Sequence, residues 1–190
     1  MIIGHLGVAF AARARWLRLS LAWLLGATMA PDLVRLTLQA LGVTSGDATR
    51  YSHLLPWSAL LAAVLGLMAW VSQRNGRAAI IVSALVVSHI VLDAISGEKA
   101  LWDGGPAGLN LQHYQQLEFV IEAGLLWWGW WLLRRSETAW WPTRRSVLAA
   151  LMAFEAVYLA WSLYQRPYAT RCIEYPVQPC WIRRHDRPPQ

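Results

Sequence analysis

Long apolar blocks alternate with short polar turns along the chain, and the turns carry arginine. At 1.5 Å per residue, about 20 helical residues match a hydrocarbon core of roughly 30 Å. The blocks near 16–30, 53–72, 77–96, 117–133 and 146–164 therefore predict an all-α membrane bundle of four to five spans. Residues 2–12 are apolar but too short to cross, and they close on Arg13, Arg15 and Arg18. Pro31 disfavours the helical conformation at Ala30 and suits the first turn of a new helix, placing Asp32 near its start. The amphipathic stretch DLVRLTLQALG either extends the first span or lies at the interface. Residues 43–52 read as a polar loop, 72–77 and 134–145 as basic turns, and 97–116 as a Gly- and Pro-bearing loop long enough to be functional. No repeat and no β pattern stands out. The membrane domain covers 1–164 and a basic, Pro-rich tail covers 165–190.

Composition sharpens this picture. With 56% hydrophobic residues, 15% charged and 13 Trp, the chain does not describe a soluble domain. The formal charge of +6 comes from short Arg runs between blocks, a topology and headgroup signal rather than a nucleic-acid surface. Arg13, Arg15, Arg18, Arg74, Arg77, Arg134, Arg135, Arg144 and Arg145 fall on one side, which the positive-inside rule makes cytoplasmic. The tail then lies outside, where Cys172 and Cys180 are open to disulfide formation or remain two thiols. No basic region precedes the first apolar run, so no cleavable signal peptide is expected.

Ionisable residues inside such spans are costly and face a partner, a cavity or a metal. His89 and Asp93 stand four apart, one turn above each other on a helix. In the topology above, Asp32, His53, Glu118 and Glu122 reach the same outer level. His5 joins them if 2–12 is a re-entrant half-helix whose basic end turns around inside. Such a mixed N/O set suits zinc or a harder ion such as Mn²⁺, and a carboxylate beyond the ligands, Glu122, suits a general base. Blander roles stand beside these. His53 is also a plausible packing residue, His89–Asp93 an intrahelical hydrogen bond, and Asp32 a helix-start carboxylate. Glu118 suits headgroup water, and Glu155 a lone buried acid that is paired or protonated. His185 suits solvent, while Asp103 and His113 in the loop either touch substrate or are solvated.

The segments GHLGVAFAAR, APD, RYSHLL, SHIVLD, GGPAGLNL and Glu122 in LEFVIEAGL together resemble the YdjM-like predicted membrane-bound metal-dependent hydrolases. These are bacterial inner-membrane proteins, and the likeness covers about residues 3–135. It implies a helical membrane fold and a metal site of His5, Asp32, His53, His89 and Asp93. Val34, Ala48, Thr49 and Ser96 stand where that family often has a second Asp, an additional His and a Thr. One divalent metal, rather than a pair, is the expectation. A site at headgroup depth points to an ester or phosphoester on a lipid or lipid-linked substrate, with membrane lipids as the other partner and no nucleic acid. The rivals are a scaffold whose polar cluster only pins helices, and an ion or proton transporter.

Overall fold

The basic turn at 72–77 closes two long apolar helices into an antiparallel pair. In the computed structural model these are α4 (Leu55–Gln73) and α5 (Gly76–Ser96), numbered in chain order. Arg74 closes α4 in the left-handed conformation, and the Asn75 side chain accepts the Arg77 N–H at 3.0 Å to start α5. The helices approach through small residues. A Cβ on Gly66 would run into Ser83 Oγ, and that hydroxyl donates to the Ala62 carbonyl at 2.8 Å. Without a hydrophobic drive between helices in lipid, close packing of this kind supplies the attraction.

Residues 3–16, 19–97, 99–102, 105–109, 111–136, 149–157 and 159–160 are described. The chain divides into two compact units, Met1–Trp141 and Pro142–Gln190. In the second, residues 149–157 are helical and include Glu155. Cys172, Cys180, His185 and Asp103 lie outside the described residues.

In the first unit, α1 (Ile3–Arg15) packs most extensively on α6 (Gln115–Arg135), while α2 (Leu21–Ala40) packs on α5 and α1. Helices α1 and α6 run parallel, because Ile3 meets Glu122 and Gly7 meets Leu125 and Gly129. A Cβ on either glycine would strike the facing backbone, so only glycine permits this approach. Helix α1 thus starts seven residues, or roughly 10 Å, along α6. It is the predicted half-helix. Its end with Arg13 and Arg15 lies beside Arg134 and Arg135, at the same end of the bundle as the α4–α5 turn. The Arg13 guanidinium donates to the Leu19 carbonyl across the turn into α2.

Helices α2, α4 and α5 are long and apolar enough to cross a membrane. Their outward faces are apolar too: Leu60, Leu67, Val71 and Ile80 are more than half exposed. Helix α6 matches α5 in length but carries Glu118, Glu122, Arg134 and Arg135. The last predicted span falls partly outside the described residues.

Three local expectations are corrected. The stretch read as a polar loop is helix α3 (Ser45–His53), because Thr44 caps it: its hydroxyl accepts the Asp47 N–H at 3.3 Å and donates to the Asp47 carboxylate at 2.8 Å. His53 therefore ends α3 rather than opening the next span, which begins after the extended Leu54 with Pro56 in its first turn. Pro31 does not start a new helix, since α2 continues through it. Finally, the loop after α5 contains a small antiparallel hairpin, β1 (Lys99–Trp102) with β2 (Gly105–Ala107). It is followed by a single 3₁₀ turn, Leu111–Tyr114. Gly108 holds a positive φ of 148° against the α5 terminus, and Leu109 N–H bonds the Ala94 carbonyl at 2.9 Å.

Candidate metal centre

Five residues from four helices converge at the end of the bundle away from the basic turns. Helix α5 supplies His89 and Asp93, one turn apart on its buried face. Helix α2 supplies Asp32 directly after Pro31. A proline ring crowds the carbonyl four residues back and removes one N–H, loosening the turn at Ala27 and Thr28. The next carbonyl, Thr28 O, accepts from His89 Nδ1 at 2.8 Å. The C-terminal residue of α3 is His53, and the first turn of α1 supplies His5. His5, His53, His89 and Asp93 are buried, whereas the Asp32 side chain is 23% exposed and forms the open side.

The donor atoms face one another. His53 Nε2 lies 3.3 Å from Asp93 Oδ2 and 3.7 Å from Asp32 Oδ1. His89 Nε2 lies 3.7 Å from Asp93 Oδ2 and 3.9 Å from Asp32 Oδ2. His5 Nε2 is 3.9 Å from Asp93 Oδ1 and 3.3 Å from the His89 carbonyl. The rings stack loosely, with centroids 4.1 Å apart for His5 and His89 and 5.4 Å for His53 and His89. Two triads, His5–His89–Asp93 and Asp32–His53–His89, each hold their ligand atoms within 4.8 Å.

Hydrogen bonds on the far sides of two rings decide which nitrogen looks inward. Thr28 O can only accept, so His89 carries its proton on Nδ1. Ser52 Oγ donates to the Ala48 carbonyl at 2.9 Å, so across its 2.6 Å contact it accepts from His53 Nδ1–H. Both rings thus turn Nε2 toward the carboxylates, and neither Nε2 has a hydrogen-bond partner among the described residues. Lone pairs facing carboxylate oxygens repel unless a cation lies between them. Most of the distances exceed hydrogen bonds. Metal bonds of about 2.0–2.2 Å place neighbouring ligands roughly 3.3–3.6 Å apart in a tetrahedron, close to what is seen. The donor set fits a divalent ion, and His53 and His89 each direct the other ring nitrogen to a protein oxygen, as metal-binding histidines do; His5 Nδ1 has no such partner among the described residues.

Glu122 stands apart from this set. It is fully buried on α6, and its Oε2 accepts the Ile3 N–H at 2.9 Å, anchoring the turn that carries His5. Three contributors went unread in the sequence: the Thr28 carbonyl, Ser52 and Arg35. Ser52 directly precedes His53, but a hydroxyl beside a histidine is too common to signal anything. A backbone carbonyl has no sequence signal at all. Arg35 lies one turn after Asp32, with Nη2 3.6 Å from Asp32 Oδ1.

Fold and site together define a helical bundle with membrane-type helices and a buried His/Asp cluster able to hold a metal ion. Comparison with protein-family models, with curated proteins and with solved structures finds no match.

Proposed function

We propose that the chain is a membrane-embedded, metal-dependent hydrolase of an ester or phosphoester, related to the YdjM-like proteins. We place it in a bacterial inner membrane with the site on the outer side, as the arginine distribution favours. One observation carries this: two imidazoles, held from behind by Thr28 and Ser52, turn Nε2 atoms that have no hydrogen-bond partner among the described residues toward two carboxylates. His53, His89, Asp32 and Asp93 hold one zinc or manganese ion, and His5 completes the set. A divalent ion held there would lower the pKa of water at the site and polarise the scissile group.

The protein's own residues do the rest. Asp32, on the open side, takes the proton of the attacking water. The water oxygen adds to the acyl carbon or phosphorus, the bond to the alkoxy oxygen breaks, and the alcohol leaves with the proton that Asp32 returns. Of the two roles open to Glu122, base or support, its bond to Ile3 favours support. Burial of His53, His89 and Asp93 limits water to the open side at Asp32, and a lipid-borne substrate reaches that side laterally.

Elemental analysis of detergent-purified protein, beside a His89→Ala/Asp93→Ala variant, tests the metal. About one zinc or manganese per chain, lost in the variant, is expected. No metal in either, after reconstitution with excess ion, refutes it.

A further inference from the structure

Arg35 sits beside Asp32 at the exposed edge of the cluster. Its Nη2 reaches toward Asp32 at 3.6 Å, longer than a hydrogen bond, and its side chain remains 33% exposed. Its Nε is buried without a hydrogen-bond partner among the described residues. A guanidinium carries five N–H donors in a rigid fork. A single long contact to one carboxylate oxygen leaves that fork short of acceptors.

The charge balance points the same way. The two aspartates cancel one divalent ion, and the imidazoles are neutral. Arg35 therefore leaves the loaded site with one net positive charge. An uncharged carboxylic ester gains little from that cation, whereas the anionic oxygens of a phosphate group match the fork in both charge and geometry.

Building on the metal-site reading above, we propose that Arg35 binds the phosphate oxygens of the substrate, which makes the substrate a phosphoester. Asp32 then has two neighbours of different use, the metal on one side and a substrate-anchoring arginine on the other.

The test titrates zinc-loaded wild-type protein, Arg35→Lys and Arg35→Ala with inorganic phosphate by calorimetry, with metal content measured on the same samples. The expected result is unchanged metal content. Phosphate binding should weaken roughly 10- to 100-fold in Arg35→Ala, the range for charge-assisted hydrogen bonds, with Arg35→Lys between the two. Equal phosphate affinity in all three metal-loaded proteins overturns the role of Arg35, as does a metal-loaded wild type that binds no phosphate. Both results leave the metal reading intact. A wild type that takes up no metal overturns the metal reading and the phosphate role together. If Arg35→Ala does not fold, the Arg35→Lys comparison decides, because lysine keeps the charge and loses the fork. Repeating the titration in phosphatidylcholine nanodiscs with and without phosphatidate identifies the source. Competition by phosphatidate means a lipid headgroup is bound, and its absence means a soluble phosphate.

Discussion

Replacing Ser52 with alanine removes an atom that touches no ligand position, yet the structure makes it a sharp test of the metal centre. Ser52 is 1% exposed, and its Oγ lies 2.6 Å from His53 Nδ1. Its own O–H goes to a helical carbonyl that already serves the helix, so losing that bond costs little. The consequence falls on His53. With no acceptor behind it, the ring gains by moving its proton to Nε2, where a small ring rotation lets it donate to Asp93 Oδ2, 3.3 Å away. That new bond offsets most of the loss in the metal-free protein, so its stability should change by less than about 1 kcal/mol. Metal binding must now reverse the tautomer and leave a buried N–H unpaired, at a cost of about 1–3 kcal/mol. Zinc affinity should fall roughly 10- to 100-fold, the usual penalty for removing a group that orients a ligating histidine. Competition against a chromophoric chelator gives Kd, and thermal melting of the chelated protein gives the stability. In a His53→Ala background the same Ser52→Ala change should have no further effect on Kd. If Ser52→Ala lowers metal-free stability by several kcal/mol and leaves Kd unchanged, the tautomer argument is wrong.

Gly7→Ala and Gly129→Ala each force a Cβ into facing backbone, which no rotamer change relieves. Each should destabilise the bundle by about 1–3 kcal/mol, read as a lower Tm in detergent. Gly26→Ala, with nothing within 4 Å of its added Cβ, should be neutral or slightly stabilising. Glu122→Ala leaves the Ile3 N–H without its carboxylate and should lower stability by about 1–3 kcal/mol, whereas Glu122→Gln keeps an acceptor oxygen and should recover most of it. Stripping the metal with a chelator should lower Tm by an amount that grows with the free metal previously present, about 2.7 kcal/mol at a hundred times Kd. A Tm indifferent to metal would count against the site.

The long apolar blocks were legible because a bilayer-length run admits few structures. The half-helix was legible only through convergence: His5 had no other route to the level of His89. What escaped was local and polar. Thr44 was seen as a loop residue, although T-S-G-D offers the hydroxyl and the acidic first turn of a helix start. Pro31 was weighted as a break, but membrane helices tolerate proline where neighbours take over the freed carbonyls. The hairpin at 99–107 is too short to show alternation. Arg35 stands one turn after Asp32 in a helix that either starts at Pro31 or runs through it, so that pairing was open to the sequence and was passed over.

The rival roles differ in what they demand of the same cluster. A scaffold that merely pins helices would place donors opposite acceptors, as Ser83 does against Ala62 in the α4–α5 seam. At the cluster, His53 and His89 instead turn Nε2 atoms without a hydrogen-bond partner among the described residues toward the two aspartates, an arrangement that gains from a bound cation. A proton relay would need protonatable groups continuing toward the basic end. Among the described residues, that stretch of the buried core is Ala62, Ala69, Ala78, Ile81, Val82, Leu85 and Val86, with no titratable side chain. Below His89 polar contacts continue, such as the Ser83 hydroxyl on the Ala62 carbonyl, but they carry no titratable group among the described residues. A cluster backed by alkyl side chains there and open at Asp32 fits the proposed hydrolase better than a relay.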